Sequence, residues 1–246
     1  MTISVCIATY NGAIYVRRQL TSILEQLDLG DEVIVVDDCS TDKTVDAVRG
    51  IGDARILLHV NDCNRGEVYS FSRAVSLARN NFIFLSDQDD VWMPGRVELM
   101  TRRLADSGRW VVTTNFVWVD CVETPIDVPY DGVVSTRSTN HLRNITDIFI
   151  GKTNYFGCAM AMRREIVPLV TPIPEFVESH DLWIALAGTL ARSNLHIDEV
   201  TLLKRKHDKN ATSTVSSRSL PRKFWSRVIF ALSLVLLAWR LRLVKL

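Results

Sequence analysis

Three groups of acidic residues in this chain have the composition and position that metal-assisted chemistry needs. They are Asp37-Asp38, the run Asp87-Gln88-Asp89-Asp90, and Asp181 after His180. The first two groups directly follow short apolar runs, 33–36 and 82–85, that are typical of buried strands. Carboxylates repel one another, so several of them at strand ends require a cation or a hydrogen-bonded ligand to balance their charge. The simplest ligand that meets both needs is a nucleotide diphosphate with a divalent metal ion, which indicates an enzyme that uses nucleotide-sugars.

Strands and helices alternate before residue 110 and position the first two acidic groups. Apolar runs predict strands over Ile3–Ala8, Val33–Val36, Arg55–Val60 and Phe82–Leu85. Apolar residues at helical spacing predict helices over Tyr15–Leu27, Thr44–Val48 and Glu67–Arg79, and a fourth from near Pro94 to about Asp106. The alternation predicts an α/β fold with a mostly parallel sheet flanked by helices. In such sheets ligands bind beyond the carboxyl ends of the strands, where the acidic groups fall.

The pattern weakens in the second half of the chain. Strands are predicted over Trp110–Val119, Phe156–Met162 and Leu195–Leu203, a helix over Leu182–Ala191, and a loop over 120–140.

Composition narrows the class of protein. The 246 residues are 47% hydrophobic, enough for one sizeable core, and the net charge of +1 argues against a nucleic-acid binder. Five scattered cysteines without any CxxC spacing predict reduced, mostly buried thiols rather than disulfides or a zinc site. The amino terminus lacks the basic-then-apolar pattern of a signal peptide, so we expect the bulk of the protein in the cytosol.

The carboxyl-terminal tail has a different composition. No acidic residue follows Asp208, and the apolar run 228–239, interrupted only by Ser233, is flanked by Phe224, Trp225 and basic residues. A helix of twelve residues spans roughly 18 Å, short of the ~20 residues that cross a bilayer. We therefore expect an in-plane or partly inserted anchor on an anionic membrane face. The alternative is a terminal helix packed on the core.

The nucleotide must be held by side chains. Neither GxGxxG nor GxxxxGK[ST] occurs, which excludes the dinucleotide-binding and P-loop arrangements. Tyr10, just past the first strand, could stack on a base, and Asp38 could accept hydrogen bonds from a base N–H or a ribose hydroxyl. The alternatives are a packed aromatic side chain at Tyr10, and turn-forming or capping roles for Asp37 and Asp38.

The second acidic group is the candidate metal site. Mg²⁺ takes one or two carboxylates together with substrate phosphates, and Mn²⁺ is the other candidate ion. Asp89 is the best candidate for direct coordination, with Asp87 on the ribose or the metal and Asp90 in support. The alternative is an acidic helix cap before Pro94.

The third acidic group offers a general base. Glu178 and Asp181 are three residues apart and would share a face of a helical turn, so either could deprotonate an acceptor hydroxyl. Asp181 could equally be a helix cap. His207, with Arg205 before it, could provide a cationic or metal-ligating group for a diphosphate, or could be a solvated loop histidine.

Taken together, residues 3–210 resemble inverting glycosyltransferases of family 2, which have the GT-A fold. The resemblance depends on Ala-Thr-Tyr-Asn-Gly ending at Gly12, on the segments 35–42 and 84–94, and on 156–164 followed by His180-Asp181. It implies that Ala8, Tyr10 and Asp38 hold the nucleotide base, that Asp87 and Asp89 form the Asp-x-Asp pair, and that Asp181 is the base. The family commonly has Glu where His180 stands.

The resemblance also implies a function. Asp-Gln-Asp-Asp and His-Asp-Leu-Trp are most similar to bacterial rhamnosyltransferase-type enzymes that build surface polysaccharide. We therefore expect 1–210 to transfer a sugar from a UDP- or TDP-linked donor to a lipid-linked glycan, and 211–246 to hold the enzyme at the inner membrane face. One alternative is a nucleotidyltransferase, which would normally carry a phosphate loop rich in glycine and lysine. Another is a catalytically silent scaffold subunit that binds nucleotide-sugars.

Overall fold

The computed structural model of the chain describes residues 1–152, 155–207 and 220–244. The strands are β1 (Ile3–Thr9), β2 (Glu32–Asp37), β3 (Ile56–Val60), β4 (Phe82–Ser86), β5 (Val91–Trp92), β6 (Val111–Val119), β7 (Met160–Arg163) and β8 (Asn194–Arg205). The helices are α1 (Val16–Leu24), α2 (Thr44–Arg49), α3 (Glu67–Leu77), α4 (Arg96–Ser107), α5 (His141–Ile150), α6 (Val167–Val170), α7 (His180–Leu190) and α8 (Leu220–Leu243).

The eight strands form one mostly parallel sheet in the order β3-β2-β1-β4-β7-β6-β8-β5. The neighbours β3, β2, β1 and β4 all run parallel, and so do β6 and β8. β7 lies antiparallel between β4 and β6, and β5 lies antiparallel on β8. The predicted α/β fold, a mostly parallel sheet flanked by helices, is confirmed. The carboxyl ends of β1, β2 and β4 therefore meet at one edge, as the acidic groups require.

Both faces of the sheet are covered by apolar side chains. In β2, Val33 and Val35 pack into the core cluster that includes Leu20 of α1, whereas Ile34 and Val36 pack into the cluster that includes Phe71 of α3. Because both faces are buried, the strands are continuous apolar runs rather than alternating ones. This explains why β1, β2 and β4 are predicted within one residue.

Four elements differ from the sequence-based expectation. Strand β5 and helices α5 and α6 were not predicted, since β5 and α6 have only two and four residues and α5 buries only Asn144 and Ile148. The predicted strand 156–162 is shorter because residues Gly157–Ala159 form a 3-10 turn before β7.

The five cysteines are free, as predicted, and all of them lie in the described part of the chain. The expectation that most are buried is wrong, because only Cys6 and Cys158 are; Cys63 and Cys121 are exposed and Cys39 is intermediate.

Helix α8 is longer than the tail sequence predicts. It has 24 residues rather than twelve, and the stretch Lys223–Leu243 is long and apolar enough, by length and composition alone, to cross a membrane. The expectation that the tail helix is too short for that is therefore wrong. Leu237 is fully buried in the same core cluster as Trp183 of α7, so one side of α8 packs on the rest of the molecule. The predicted boundary between 210 and 211 lies outside the described residues.

Candidate active site

The strand register brings the first acidic group and the candidate nucleotide contacts to one edge. Thr9 at the end of β1 pairs with Asp37 at the end of β2, and Asp37 pairs with Val60 of β3. The residues that come directly after these three strands therefore lie side by side; they are Tyr10, Asp38 and Asn61. Ala8, one residue inside β1, is half-buried against the core.

Asp37 organises the turn after β2. Its buried carboxylate accepts hydrogen bonds from Thr9 Oγ1 at 2.8 Å, from the Ser40 backbone N–H at 2.8 Å and from Ser40 Oγ at 2.6 Å. These three donors hold the turn from Asp37 to Ser40 against the end of β1.

Asp38 anchors the loop that leads into α3. Its carboxylate is 3% exposed and accepts hydrogen bonds from Asn61 Nδ2 at 2.7 Å, the Arg65 N–H at 2.9 Å and the Gly66 N–H at 2.7 Å. Gly66 has a φ of +85°, which favours glycine and allows this close approach. A ligand that binds Asp38 would therefore also contact the 61–66 loop.

Tyr10 is exposed, and its backbone is held by the second acidic group. The Tyr10 N–H donates to Gln88 Oε1 at 2.9 Å, and the Tyr10 carbonyl accepts from Gln88 Nε2 at 3.0 Å. Gly12 makes room for this amide, because a Cβ on Gly12 would overlap Gln88 Oε1 and lie 2.9 Å from its Nε2. Gln88 therefore joins the nucleotide side of the site to the acidic side, a role that its position between two aspartates does not reveal.

The acidic run encloses a lysine from the far side of the sheet. Lys204 of β8 places its Nζ 2.9 Å from Asp87 Oδ2 and 3.7 Å from Asp90 Oδ2, and donates to Cys158 Sγ at 3.3 Å. Burial opposes ionisation of Asp87, but the Lys204 ammonium outweighs it and holds the pKa of that carboxyl below its usual value. Burial raises the pKa of Asp90 to about 7 despite Lys204. Burial also keeps Cys158 a neutral thiol, with a pKa well above the usual value.

Asp89 has a different partner. Its Oδ2 lies 2.7 Å from His207 Nε2, and the His207 ring stacks on Tyr15 with centroids 5.0 Å apart. Arg205 does not contact the Asp89 carboxylate as His207 does. Its buried guanidinium donates to the Asp89 carbonyl at 3.0 Å, to the Cys121 carbonyl at 2.7 Å and to Glu123, so it braces this corner of the site.

The donor set suits a hard divalent ion. Asp89 and His207 offer a carboxylate and an imidazole, which are ligands that Mg²⁺ or Mn²⁺ accepts alongside phosphate oxygens. The ligand atoms of Asp87, Asp90 and Cys158 also lie within 4.8 Å of one another, as around a metal. Lys204 and the neutral thiol oppose a metal ion at that second position, so Asp89 and His207 are the better pair.

The candidate base lies at the start of α7. Asp181 Oδ2 accepts a hydrogen bond from the Gly157 N–H at 3.3 Å, and its Oδ1 accepts from the Leu182 N–H at 2.7 Å. Asp87 and Asp181 are both near Glu67, the first residue of α3. Burial raises the pKa of Glu67, and the negative charges of Asp87 and Asp181 raise it further. Glu67, which sequence reasoning missed, is therefore a third carboxylate of this side.

Glu178 and Asp181 do not share a helical face, contrary to expectation. Helix α7 begins at His180, so Glu178 precedes it. The Glu178 carboxylate accepts a hydrogen bond from Ser226 Oγ of α8, on the side of the tail helix. Asp181, in contrast, contacts the 157–159 turn beside the acidic run.

His180 is buried beneath this corner. Its ring stacks on Phe71 with centroids 3.7 Å apart, and a Cβ on Gly157 would lie 2.5 Å from its Nε2. Neither ring nitrogen has a hydrogen-bond partner among the residues that the structure describes. His180 therefore packs under Gly157, whose N–H contacts Asp181.

The whole arrangement is that of a GT-A glycosyltransferase fold. The structure superposes on TarS of Staphylococcus aureus, solved with UDP-GlcNAc, with a TM-score of 0.70 and 20% identity, covering 95% of this chain and 66% of that one. The family description "Glycosyl transferase family 2" matches residues 4–168. The chain therefore belongs to glycosyl transferase family 2.

Two curated relatives have names that specify a nucleotide-sugar donor. A UDP-Glc:alpha-D-GlcNAc-diphosphoundecaprenol beta-1,3-glucosyltransferase of Escherichia coli is 26% identical over 168 residues, which are 62% of this chain and 67% of that protein. A dTDP-rhamnosyl transferase of Shigella flexneri is 33% identical over 98 residues, covering 37% of this chain and 34% of that protein. The chain spans 31% and 54% of the length of two other curated relatives.

Proposed function

We propose that this chain is an inverting glycosyltransferase that moves a sugar from a nucleotide-diphosphate donor to a hydroxyl of a growing cell-surface polysaccharide. One observation carries the proposal: Asp38, the Asp87-x-Asp89 pair and the Asp181 region lie at one edge of the sheet in a member of family 2. Asp181 accepts a hydrogen bond from Gly157, and the next residue, Cys158, contacts Lys204, the partner of Asp87, which supports the proximity of the two carboxylates.

The donor is UDP- or TDP-linked, and rhamnose is one candidate sugar. Tyr10 offers an exposed ring for base stacking, and the buried Asp38 offers a hydrogen-bond acceptor beside it. Ala8, on the same strand, would lie under the base. The names of the relatives support both nucleotides, since one uses UDP-glucose and another transfers rhamnose from dTDP.

A divalent ion, Mg²⁺ or Mn²⁺, would be held by Asp89 and His207. When bound, such an ion stabilises the negative charge of a departing nucleoside diphosphate as a Lewis acid. The protein itself contributes the fixed orientation of these ligands. Arg205 braces the Asp89 backbone and Tyr15 stacks on His207.

Asp181 is the general base. The acceptor hydroxyl oxygen attacks the anomeric carbon while the bond from that carbon to the diphosphate oxygen breaks, and the hydroxyl proton passes to Asp181. Attack from the face opposite the leaving group inverts the anomeric centre. Two backbone N–H groups, of Gly157 and Leu182, keep the Asp181 carboxylate oriented. Glu178 is the weaker candidate because its carboxylate binds Ser226 of the tail helix.

The tail, residues 211–246, places the enzyme on the cytoplasmic face of the membrane, where a lipid-linked glycan would be presented. Val235 is 71% exposed and Trp239 58% exposed on the side of α8 away from Leu237. Helix α5 packs beside the tail helix, since Phe149 contacts Phe230 edge to face with centroids 5.3 Å apart. Aromatic and basic residues on an apolar helix favour an anionic membrane surface. The undecaprenol-linked acceptor in one relative's name supports a lipid-linked substrate.

The proposal is tested with Asp181→Asn and Glu178→Gln, matched substitutions that remove one carboxylate each. We expect Asp181→Asn to abolish transfer and to keep donor binding, because the group is needed only for proton transfer. Glu178→Gln should keep most of the activity. Transfer by Asp181→Asn near the wild-type rate would move the base to another residue.

A further inference from the structure

Lys204 is buried at the centre of the acidic run. The residue is 4% exposed, and its Nζ lies 2.9 Å from Asp87 Oδ2, 3.3 Å from Cys158 Sγ and 3.7 Å from Asp90 Oδ2. Three aromatic rings enclose it, those of Phe116, Trp118 and Phe156, with centroids 6.0, 5.8 and 5.5 Å from Nζ. Ring faces attract a cation and add to the pairing with the carboxylates.

The Lys204 ammonium occupies a position that could otherwise bind a second cation. Asp87, Asp90 and Cys158 direct ligand atoms that lie within 4.8 Å of one another at the same space. A buried charge without partners is costly, so the lysine and the carboxylates stabilise one another only while they stay together. The lysine therefore fixes the position of Asp87 Oδ2, with which it pairs at 2.9 Å.

We propose that Lys204 is a built-in cation of the acidic run, a positioning residue that orients Asp87 and closes the Asp87–Asp90 pocket to a divalent ion. The divalent site is then confined to Asp89 and His207. The expected effect of Lys204 on sugar transfer depends on the proposed function. Its expected effect on metal binding does not.

Removal of the ammonium has two opposite consequences. Without it, the carboxylates of Asp87 and Asp90 lose their cation, and a divalent ion can take its place in the pocket. Asp87 at the same time loses the partner that orients it. Misplacement of a catalytic group by about 1 Å can lower turnover about 100-fold. Lys204→Met should therefore bind more metal and transfer less sugar, whereas a general loss of structure would lower both.

The test is a Mn²⁺ titration followed by the electron paramagnetic resonance signal of the free ion. We expect the wild-type chain to bind one ion, Lys204→Met to bind two, and Lys204→Arg to bind one. The matched control is Lys206→Met, which removes an exposed lysine two residues along and should leave the count at one. If Lys204→Met does not fold, Lys204→Gln provides the same neutral side chain with a hydrogen-bond donor.

The transfer assay completes the test. We expect kcat to fall about 100-fold in Lys204→Met and to be partly restored in Lys204→Arg, with a much smaller change in the KM for the donor. An unchanged ion count in folded Lys204→Met would overturn the inference, even if the wild-type enzyme transfers sugar. A gain of one ion in Lys204→Met, together with no sugar transfer by the wild-type chain, would support the inference and reject the proposed function.

Discussion

Gly12 leaves the space that the Gln88 amide occupies when it binds the Tyr10 backbone. A double-mutant cycle can measure the coupling between these two residues. Gln88 makes two hydrogen bonds to the Tyr10 backbone, of 2.9 and 3.0 Å. At about 1 kcal/mol each they contribute about 2 kcal/mol, which corresponds to about 30-fold in affinity. Gln88→Ala should therefore raise the Kd for UDP by up to about 30-fold, because the ligand must order Tyr10 itself.

Gly12→Ala should have the same effect through a different atom. Its Cβ would overlap Gln88 Oε1 and expel the amide from Tyr10. Once Gln88 is alanine, that overlap no longer exists, so the double variant should match Gln88→Ala alone. The coupling energy is then about 2 kcal/mol.

The assay is isothermal titration with UDP, with urea unfolding of each variant as the control for global stability. Two independent 30-fold losses would multiply to about 900-fold in the double variant. That additive result would refute the idea that Gly12 is small in order to admit Gln88.

Two further predictions concern the frame of the site. Burial opposes ionisation of Glu32, but hydrogen bonds from Ser4 and Arg79 outweigh it and hold the pKa of Glu32 below 4.5. A carboxyl group whose pKa is lower in the folded state than in the unfolded state stabilises the protein at pH values above its unfolded-state pKa. This stabilisation is lost as the pH falls through the folded-state pKa. Glu32→Gln should therefore lower the free energy of unfolding by about 1–3 kcal/mol at pH 7. In urea titrations, the difference in this free energy between the wild type and the variant should become smaller below pH 4.5. A difference that does not change with pH would contradict this prediction. Arg240 donates to the carbonyls of Leu169 at 3.2 Å and Pro172 at 2.9 Å. Arg240→Met should therefore speed amide hydrogen exchange in α8 but not in β1. If α8 is protected equally in the wild type and the variant, these hydrogen bonds do not fix α8 to the rest of the molecule.

The elements that are predicted well from sequence are those whose local pattern and tertiary setting agree. β2 is buried on both faces, so its apolar run marks it without further information. The tail helix is the opposite case. Basic residues end the apolar run 228–239 but do not end α8, because Lys and Arg are good helix formers.

The site is predicted in type but not in its detailed contacts. Asp38 and Asp87 fall where the strand ends predict, since parallel strands share one edge. Lys204 meets Asp87 across 117 residues of sequence, and Glu178 meets Ser226 across 48, so nothing local indicates either pair. The choice between Asp181 and Glu178 as the base depends on that second contact.

Release of UDP or TDP from a panel of nucleotide-sugars, with Mg²⁺ or Mn²⁺ against EDTA, tests the central claim most directly. The account predicts metal-dependent release from one donor, which is lost in Asp89→Ala. Nucleotide binding without release from any donor would favour a scaffold that binds nucleotide-sugars. A chain that neither binds the nucleotides nor releases them would contradict the proposed site.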